Sequence, residues 1–212
     1  MKKWLIGIDE AGRGPWAGPV SVGVVIVPVN FDWDLIPGVG DSKKLSEKNR
    51  EKVFLRAREL QKLGHLNFSI KMVSAKIIDK KGIVFAINSA MRQALDEVIL
   101  KSNNPRVPLG LHNVFVKLDG SLHAPAEFIH QETIIKGDAK EKVIGLASIL
   151  AKVTRDRYMV KIANKAEFKV YDFARHKGYG TKLHREVIAK NGLSTEHRES
   201  YCKNSIKWYS SK

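Results

Sequence analysis

Three apolar stretches of this chain run straight into carboxylates, and that pattern limits the folds open to it more than any other feature. Residues 3–9 are an apolar run ending in Asp9-Glu10, Val114-Phe115-Val116-Lys117-Leu118 ends in Asp119, and Thr133-Ile134-Ile135-Lys136-Gly137 ends in Asp138. Short apolar runs of this kind read as buried strands, so each acid is expected at a strand's end. One such aspartate alone reads as a turn former or helix cap. Three at separate strand ends point to one edge of a sheet, where α/β proteins hold their ligands.

The rest of the pattern fits a sheet with helices around it. Residues 18–27 are valine-rich and predict a second strand, with Ala11-Gly12-Arg13-Gly14-Pro15 as the turn between. A charged, periodic stretch from about Glu47 to Leu63 predicts a helix with Ser46 near its N-cap. Leu66, Phe68, Ile70 and Met72 alternate with polar residues, the strand period. Ser74 then caps an expected helix running through Ile83, Ile87, Met91, Leu95 and Val98, and Asn103 to Pro108 is an expected loop. A further helix is expected from about Lys140 to Ala163, with Val143, Leu146, Ile149, Leu150 and Val153 on its apolar face. A glycine-rich loop, His176 to Gly180, and a helix near Leu183 to Lys190 close the chain. This order predicts an α/β fold: one domain over residues 1–212, a mixed sheet flanked by helices, with residues from about 170 to 212 as a small helical appendage.

Four carboxylates converging at a sheet edge repel one another unless cations bind. An all-oxygen donor set suits Mg²⁺ or Mn²⁺ rather than Zn²⁺. Two such ions ~3.5–4 Å apart can activate water and stabilise the leaving oxygen of a phosphodiester. Asp9 and Glu10 pose a geometric question, because successive strand side chains point to opposite faces. Either the strand ends there, or Glu10 reaches a second ion from the turn. Asp156 stands between Arg155 and Arg157 on an expected helix and reads as an ion-pair partner instead.

Charge narrows the partners. The 212 residues carry 37 Lys+Arg against 22 Asp+Glu, a formal net charge of +15. A basic surface of that size favours polyanions such as DNA and RNA. No apolar run reaches the ~18–20 residues of a spanning helix, and Asp9-Glu10 interrupt the N-terminal run before it can resemble a secretory segment. The single cysteine, Cys202, rules out an internal disulfide and a thiolate zinc cluster. A cytoplasmic monomer is expected.

Five blocks, in order, give the chain a family likeness. Gly7-Ile8-Asp9-Glu10-Ala11-Gly12-Arg13-Gly14-Pro15 resembles the opening signature of ribonuclease HII. Asp41-Ser42-Lys43-Lys44-Leu45-Ser46 resembles the second block and Leu118-Asp119-Gly120 the third. Lys136-Gly137-Asp138 with Ala147 to Asp156 resembles the fourth, and His176-Lys177-Gly178-Tyr179-Gly180-Thr181 with His184 and Glu196-His197-Arg198 the fifth.

The resemblance implies a ribonuclease-H-like fold and a metal-dependent endonuclease. Its substrates would be RNA–DNA hybrids and duplex DNA containing ribonucleotides, cut to leave 3′-hydroxyl and 5′-phosphate ends. It implies that Asp9, Glu10, Asp119 and Asp138 bind Mg²⁺ or Mn²⁺, that Gly12, Arg13 and Gly14 recognise the 2′-hydroxyl, and that Tyr179 packs at the RNA–DNA junction. Lys43, Lys44 and Lys177 are candidate phosphate contacts. His176, His184 and His197 are open to proton transfer or phosphate contact, but metal-activated water leaves them no necessary catalytic role. The chain departs from the family pattern at Ser121, where an asparagine is common, in the charged run 139–145, and in its tail from Cys202 to Lys212.

Two other readings stay open on the residues alone: a resolvase- or integrase-like two-metal DNA nuclease, and a non-catalytic basic nucleic-acid-binding protein. All three share one consequence of the +15 charge. Affinity for duplex DNA is expected to fall steeply and log-linearly with salt. A titration of binding against NaCl checks this, and a flat response would mean that the basic residues face away from the nucleic acid.

Overall fold

The computed structural model describes residues 3–40, 44–102 and 110–203. Lys43 and the expected loop from Asn103 to Pro108 lie outside them. Five strands form one mixed sheet in the order β3-β2-β1-β4-β5. They are β1 (Trp4–Ala11), β2 (Val20–Pro28), β3 (Asn67–Val73), β4 (Val114–Asp119) and β5 (Gln131–Ile134). β2 runs antiparallel to both β1 and β3, whereas β4 is parallel to β1 and β5 to β4. The mixed α/β sheet read from the sequence is the sheet observed.

β2 is buried along almost its whole length, which explains its unbroken run of valines. Val20, Val22, Val24 and Ile26 face a core built with α3 (Ile83–Ser102). Val25 and Val27 face the opposite core, built with α1 (Glu47–Lys62) and α5 (Lys142–Ala163). β1 divides likewise, with Ile6 and Ile8 to the first core and Leu5 to the second. Helices therefore cover both faces.

Glycine sets how closely α5 approaches the sheet. A Cβ on Gly7 would lie 2.3 Å from the Val143 carbonyl oxygen, and one on Gly23 would lie 2.4 Å from that of Ala147. Backbone cannot yield the way a side-chain tip can. Asp9 pairs with Gly23 across β1 and β2, so the acid shares the face on which α5 rests.

Two elements differ from the expectation, each for a local reason. The helix expected from Ser74 is two helices, α2 (Ala75–Lys81) and α3, because Gly82 adopts φ 84 between them. Ser74 does occupy the N-cap, but its hydroxyl makes no capping bond, whereas the Ser46 hydroxyl accepts from the Asn49 N–H at 3.2 Å. The strand expected to carry Asp138 stops at Ile134. Lys136 turns left-handed (φ 56, ψ 43) and a single turn of helix, α4 (Gly137–Lys140), holds Asp138 instead.

A third, smaller core gathers the C-terminal elements. Phe168, Tyr171, Phe173 of α6 (Phe173–His176) and Ile188 of α7 (Lys182–Asn191) pack on Ala17, Met159 and Ile162. Backbone bonds tie residues 16–18 to 196–198: Gly18 N–H to Glu196 O at 2.8 Å and Arg198 N–H to Trp16 O at 2.7 Å. Among the described residues no helix is long and apolar enough to cross a membrane.

The tight α5–sheet contact makes a prediction. Gly7→Ala forces backbone apart in a packed core and is expected to lower unfolding stability by about 1–3 kcal/mol, measured by urea denaturation. An unchanged midpoint would mean that the helix is not held at that distance.

Candidate active site

A cavity of about 270 Å³ opens where β1 and β4 end, walled by Asp9, Glu10, Asp119, residues 11–14, Arg50, Ser148, Lys152 and Tyr179. Its volume falls below the ~300–1,000 Å³ of a pocket that swallows a small ligand. It suits instead the floor of a surface that receives part of something larger.

β1 does not end at its acids. It continues to Ala11, with Glu10 opposite Val22 and Ala11 opposite Ser21. Neither geometry expected for this pair is therefore the one found: Asp9 and Glu10 are both regular strand residues on opposite faces. Asp9 is buried, 4% exposed. Burial holds its carboxyl well above the usual range, and the nearby charges of Asp119 and Glu10 push the same way. Hydrogen bonds from Ser148 and from the Glu10 N–H, the latter 2.7 Å to Oδ1, oppose the shift. Glu10 is less buried, and its Oε1 accepts from Arg13 Nε at 2.8 Å.

Asp119 organises the third position. Its Oδ1 accepts from the Gly137 N–H at 2.6 Å and from the Asp138 N–H at 3.4 Å. That carboxylate thus holds the turn carrying Asp138, which is itself 4% exposed. Three of the four expected acids line the cavity, while Asp138 is buried beside it. Among the described residues no three His, Cys, Asp or Glu side chains close tightly enough to cage an ion as they stand. The donor chemistry nonetheless fits a hard divalent cation: oxygens only, and a buried Asp9 whose ionisation is penalised until positive charge arrives.

The Gly12-Arg13-Gly14 loop and the segment that follows it are held by two buried arginines to which sequence reasoning gave no loop-holding role. Arg198 donates to the carbonyls of Gly12 at 2.7 Å, Arg13 at 3.0 Å and Gly18 at 3.0 Å. Arg155 donates to Pro19 O at 2.9 Å, Ala17 O at 3.0 Å and Lys177 O at 3.0 Å. Burial lowers the ionisation of both, that of Arg198 to about 10, which leaves it charged at neutral pH. Each spends its charge on carbonyl oxygens. The two glycines differ in purpose. Gly12 has φ 93 and a Cβ there would strike Arg155 Nε at 2.1 Å, whereas a Cβ on Gly14 would meet nothing within 4 Å. The protein itself requires Gly12; Gly14 leaves open space on the cavity wall.

Tyr179 faces the acids across the cavity and is 45% exposed, so it is not a packed loop aromatic. The Lys152 ammonium and the Arg155 guanidinium lie 5.8 and 6.0 Å from its ring centre. Arg50, Ser148 and Lys152 were missed from the sequence. The signal available was spacing: Ser148 and Lys152 are four apart on α5, hence on one face. Lys152 also pairs with Asp156 at 2.8 Å, so Asp156 is an ion-pair residue, although its partner is the lysine and not a neighbouring arginine. Lys44 is exposed and Lys177 is not. Lys177 bonds Ala174 O at 2.5 Å, lies 3.8 Å from Glu47, and does not line the cavity. His176, His184 and His197 are buried behind Tyr179.

A mixed sheet with helices on both faces, carrying carboxylates where parallel strands end beside a basic wall, defines a ribonuclease-H-like hydrolytic nuclease. Comparison gives the particular family. The model of the Ribonuclease HII family matches residues 6–204. The ribonuclease HII of Caldicellulosiruptor bescii is 41% identical over 204 residues, 96% of this chain and 89% of that one. The solved PCNA:RNase HII complex from Archaeoglobus fulgidus matches with TM-score 0.68 and 25% identity, covering 96% of each chain. Bst-RNase HIII in complex with Mn²⁺ shares the fold alone, with TM-score 0.68, 15% identity, and coverage of 100% of this chain and 71% of that one. The chain belongs to the ribonuclease HII family, and it is an endonuclease that hydrolyses the RNA strand of RNA–DNA hybrids.

The raised ionisation of Asp9 makes a prediction with a definite sign. The folded protein holds that proton more tightly than the unfolded chain. The associated stability is present in acid and lost as pH rises through the shifted value. At pH 7 in EDTA, Asp9→Asn is therefore expected to be as stable as the parent or more so, while cleavage nearly vanishes. Urea midpoints and a cleavage assay check both halves. A large stability loss, or parental cleavage at saturating metal, would contradict the assignment.

Proposed function

We propose that this chain also cuts at single ribonucleotides embedded in duplex DNA, with Asp9, Glu10, Asp119 and Asp138 holding Mg²⁺ or Mn²⁺, two ions during the reaction. The observation that carries this reading is the open space over Gly14, which lines the same cavity as the acids and Tyr179. RNA differs from DNA at each sugar by one hydroxyl, which both donates and accepts. A backbone without Cβ, held rigid by Arg198, lets peptide groups reach that hydroxyl, and any side chain would keep the sugar away.

The residues divide the work. The acids hold the cations, whose chemistry is to activate water and to stabilise charge on the leaving oxygen. Attack in line on the phosphorus leaves 3′-hydroxyl and 5′-phosphate ends. Gly12, Arg13 and Gly14 read the 2′-hydroxyl, and Arg13 stays beside Glu10. Tyr179 supports the sugar or base at the RNA–DNA junction. Arg50 and Lys152 line the same wall and suit phosphate. Lys44 suits phosphate by its exposure, and Lys43 belongs to the same basic stretch; Lys177, tied to Glu47 and Ala174, suits it less. Residues from about 170 form an appendage that presents Tyr179, within a single catalytic domain. A cytoplasmic monomer belongs to the same proposal.

One duplex set tests the reading. A duplex with a single ribonucleotide is expected to be cut with Mg²⁺ and not with EDTA, and an all-DNA duplex is expected to bind without being cut. Tyr179→Ala is expected to lose activity by ~1–3 kcal/mol, the scale of aromatic–base stacking, while Tyr179→Phe keeps most of it. Gly14→Val is expected to cost far more activity than Arg13→Lys without loss of stability. Cleavage of all-DNA duplex would favour the resolvase-like alternative, and absence of any metal-dependent turnover would favour the non-catalytic one. Parental activity in both Tyr179 variants would reduce Tyr179 to a loop residue.

A further inference from the structure

Tyr179 is exposed, yet the peptide groups from Lys177 to Tyr179 are held by hydrogen bonds. Lys177 O accepts from Arg155, Gly178 O from the N–H groups of Trp16 and Ala17, and the Tyr179 N–H bonds His176 O at 2.9 Å. The Tyr179 carbonyl also accepts from the Thr181 N–H at 2.8 Å, and two further attachments come from histidines. The Gly178 N–H donates to His176 Nδ1 at 3.1 Å, and His184 Nδ1 lies 2.9 Å from Tyr179 O.

The partners fix where each ring carries its proton. His197 Nδ1 receives the Ser194 N–H and faces the Ser194 hydroxyl, both at 2.8 Å, so it is an acceptor. Its proton must then be on Nε2, which lies 2.9 Å from His184 Nε2. A carbonyl oxygen cannot donate, so His184 Nδ1 carries the proton toward Tyr179 O and its Nε2 accepts from His197. The result is a one-directional chain from Ser194 N–H through His197 and His184 to the Tyr179 carbonyl. His176 obeys the same logic: its Nε2 donates to Tyr171 O at 2.7 Å and its Nδ1 accepts from Gly178.

We infer that His176, His184 and His197 are positioning residues for Tyr179, and that their hold on its loop requires all three rings to be neutral. A second proton on His184 would point at the His197 N–H. One on His197 would point at the Ser194 N–H, and one on His176 at the Gly178 N–H. Each replaces an acceptor with a donor where a donor already stands. The rings have little room to turn away: His176 stacks on His184 at 4.2 Å, Phe173 sets its edge on both, and Tyr171 sets its edge on His197 at 4.8 Å. The charged groups around them are few. Asp172 and Arg175 act on His176 in opposite senses, Arg185 lies over Trp16, and Glu196 is held by the Tyr158 hydroxyl. Burial and mutual proximity draw His184 and His197 down to about 4, and His176 also below its ordinary value. The chain is thus intact at neutral pH and fails in acid. Because His184 and His197 share one bond, protonating either breaks the path to Tyr179.

This inference rests on Tyr179 contacting substrate, and the test separates the two. In ¹⁵N-histidine protein at pH 7, NMR is expected to show Nδ1–H on His184, Nε2–H on His197 and Nε2–H on His176, with none titrating near 6.5. Any other tautomer, or titration of any of the three near 6.5, would overturn the chain even if no variant folds. In kinetics, His184→Ala is expected to raise KM for a single-ribonucleotide duplex roughly 5- to 10-fold, the scale of one net hydrogen bond, with affinity for all-DNA duplex little changed. His184→Asn, whose amide still donates to a carbonyl, is expected to restore part of it. In a Tyr179→Ala background, His184→Ala is expected to add nothing. An additive effect beside an impaired Tyr179→Ala would overturn this inference alone. Parental activity in Tyr179→Ala would remove the reading of Tyr179 and this inference with it.

Discussion

The close approach of α5 to the sheet is the constraint on which the rest depends. Gly7 and Gly23 let the helix backbone sit where any side chain would collide. That distance puts Ser148 in hydrogen-bonding reach of buried Asp9. The same helix face then continues outward at helical spacing. Lys152 reaches the cavity wall, Arg155 the carbonyls under the Gly12–Gly14 loop, and Met159 the third core. One helix thereby sets the relative positions of the acid, the turn and the C-terminal elements that carry Tyr179. α5 is buried on most sides because it does this work between the sheet and those elements.

Charge is arranged in two opposed zones. Burial disfavours the ionised form of Asp9, and the charges of Asp119 and Glu10 add to it. Around them the chain is basic overall, +15. A phosphodiester backbone would suit the second zone, and divalent cations would suit the first. The two buried arginines belong to neither zone. Arg155 and Arg198 are fully covered, and their guanidinium groups end on carbonyl oxygens, so they shape loops and make no direct contact with a ligand. Counting cations therefore overstates how many can contact a phosphate, and placing them corrects it.

Much of the fold was legible in the sequence because burial writes a simple pattern. β1, β2 and β4 were visible as apolar runs, and α1 by its period and its Ser46 cap. The acids of β1 and β4 were legible for the same reason, since a carboxylate after such a run stands out. Asp138 was found, but on the wrong element. Its turn depends on Lys136 adopting a left-handed backbone, which residue identity does not announce, and on a hydrogen bond from Gly137 to distant Asp119. Arg155 and Arg198 were illegible in role because a buried arginine and an exposed one look alike in a string of letters. The histidines were noticed as chemistry, whereas their partners, Ser194, Tyr171 and the Tyr179 carbonyl, are set by tertiary contact alone.

The proposed hard-cation site joins Asp9, Glu10 and Asp119 on the cavity wall to Asp138 buried beside it. Anomalous scattering from a crystal of this protein grown with Mn²⁺ tests it most directly. The account predicts Mn²⁺ peaks bounded by those carboxylates, lost in Asp119→Asn with the fold unchanged. Peaks confined elsewhere on the molecule, or none at saturating Mn²⁺, would contradict it.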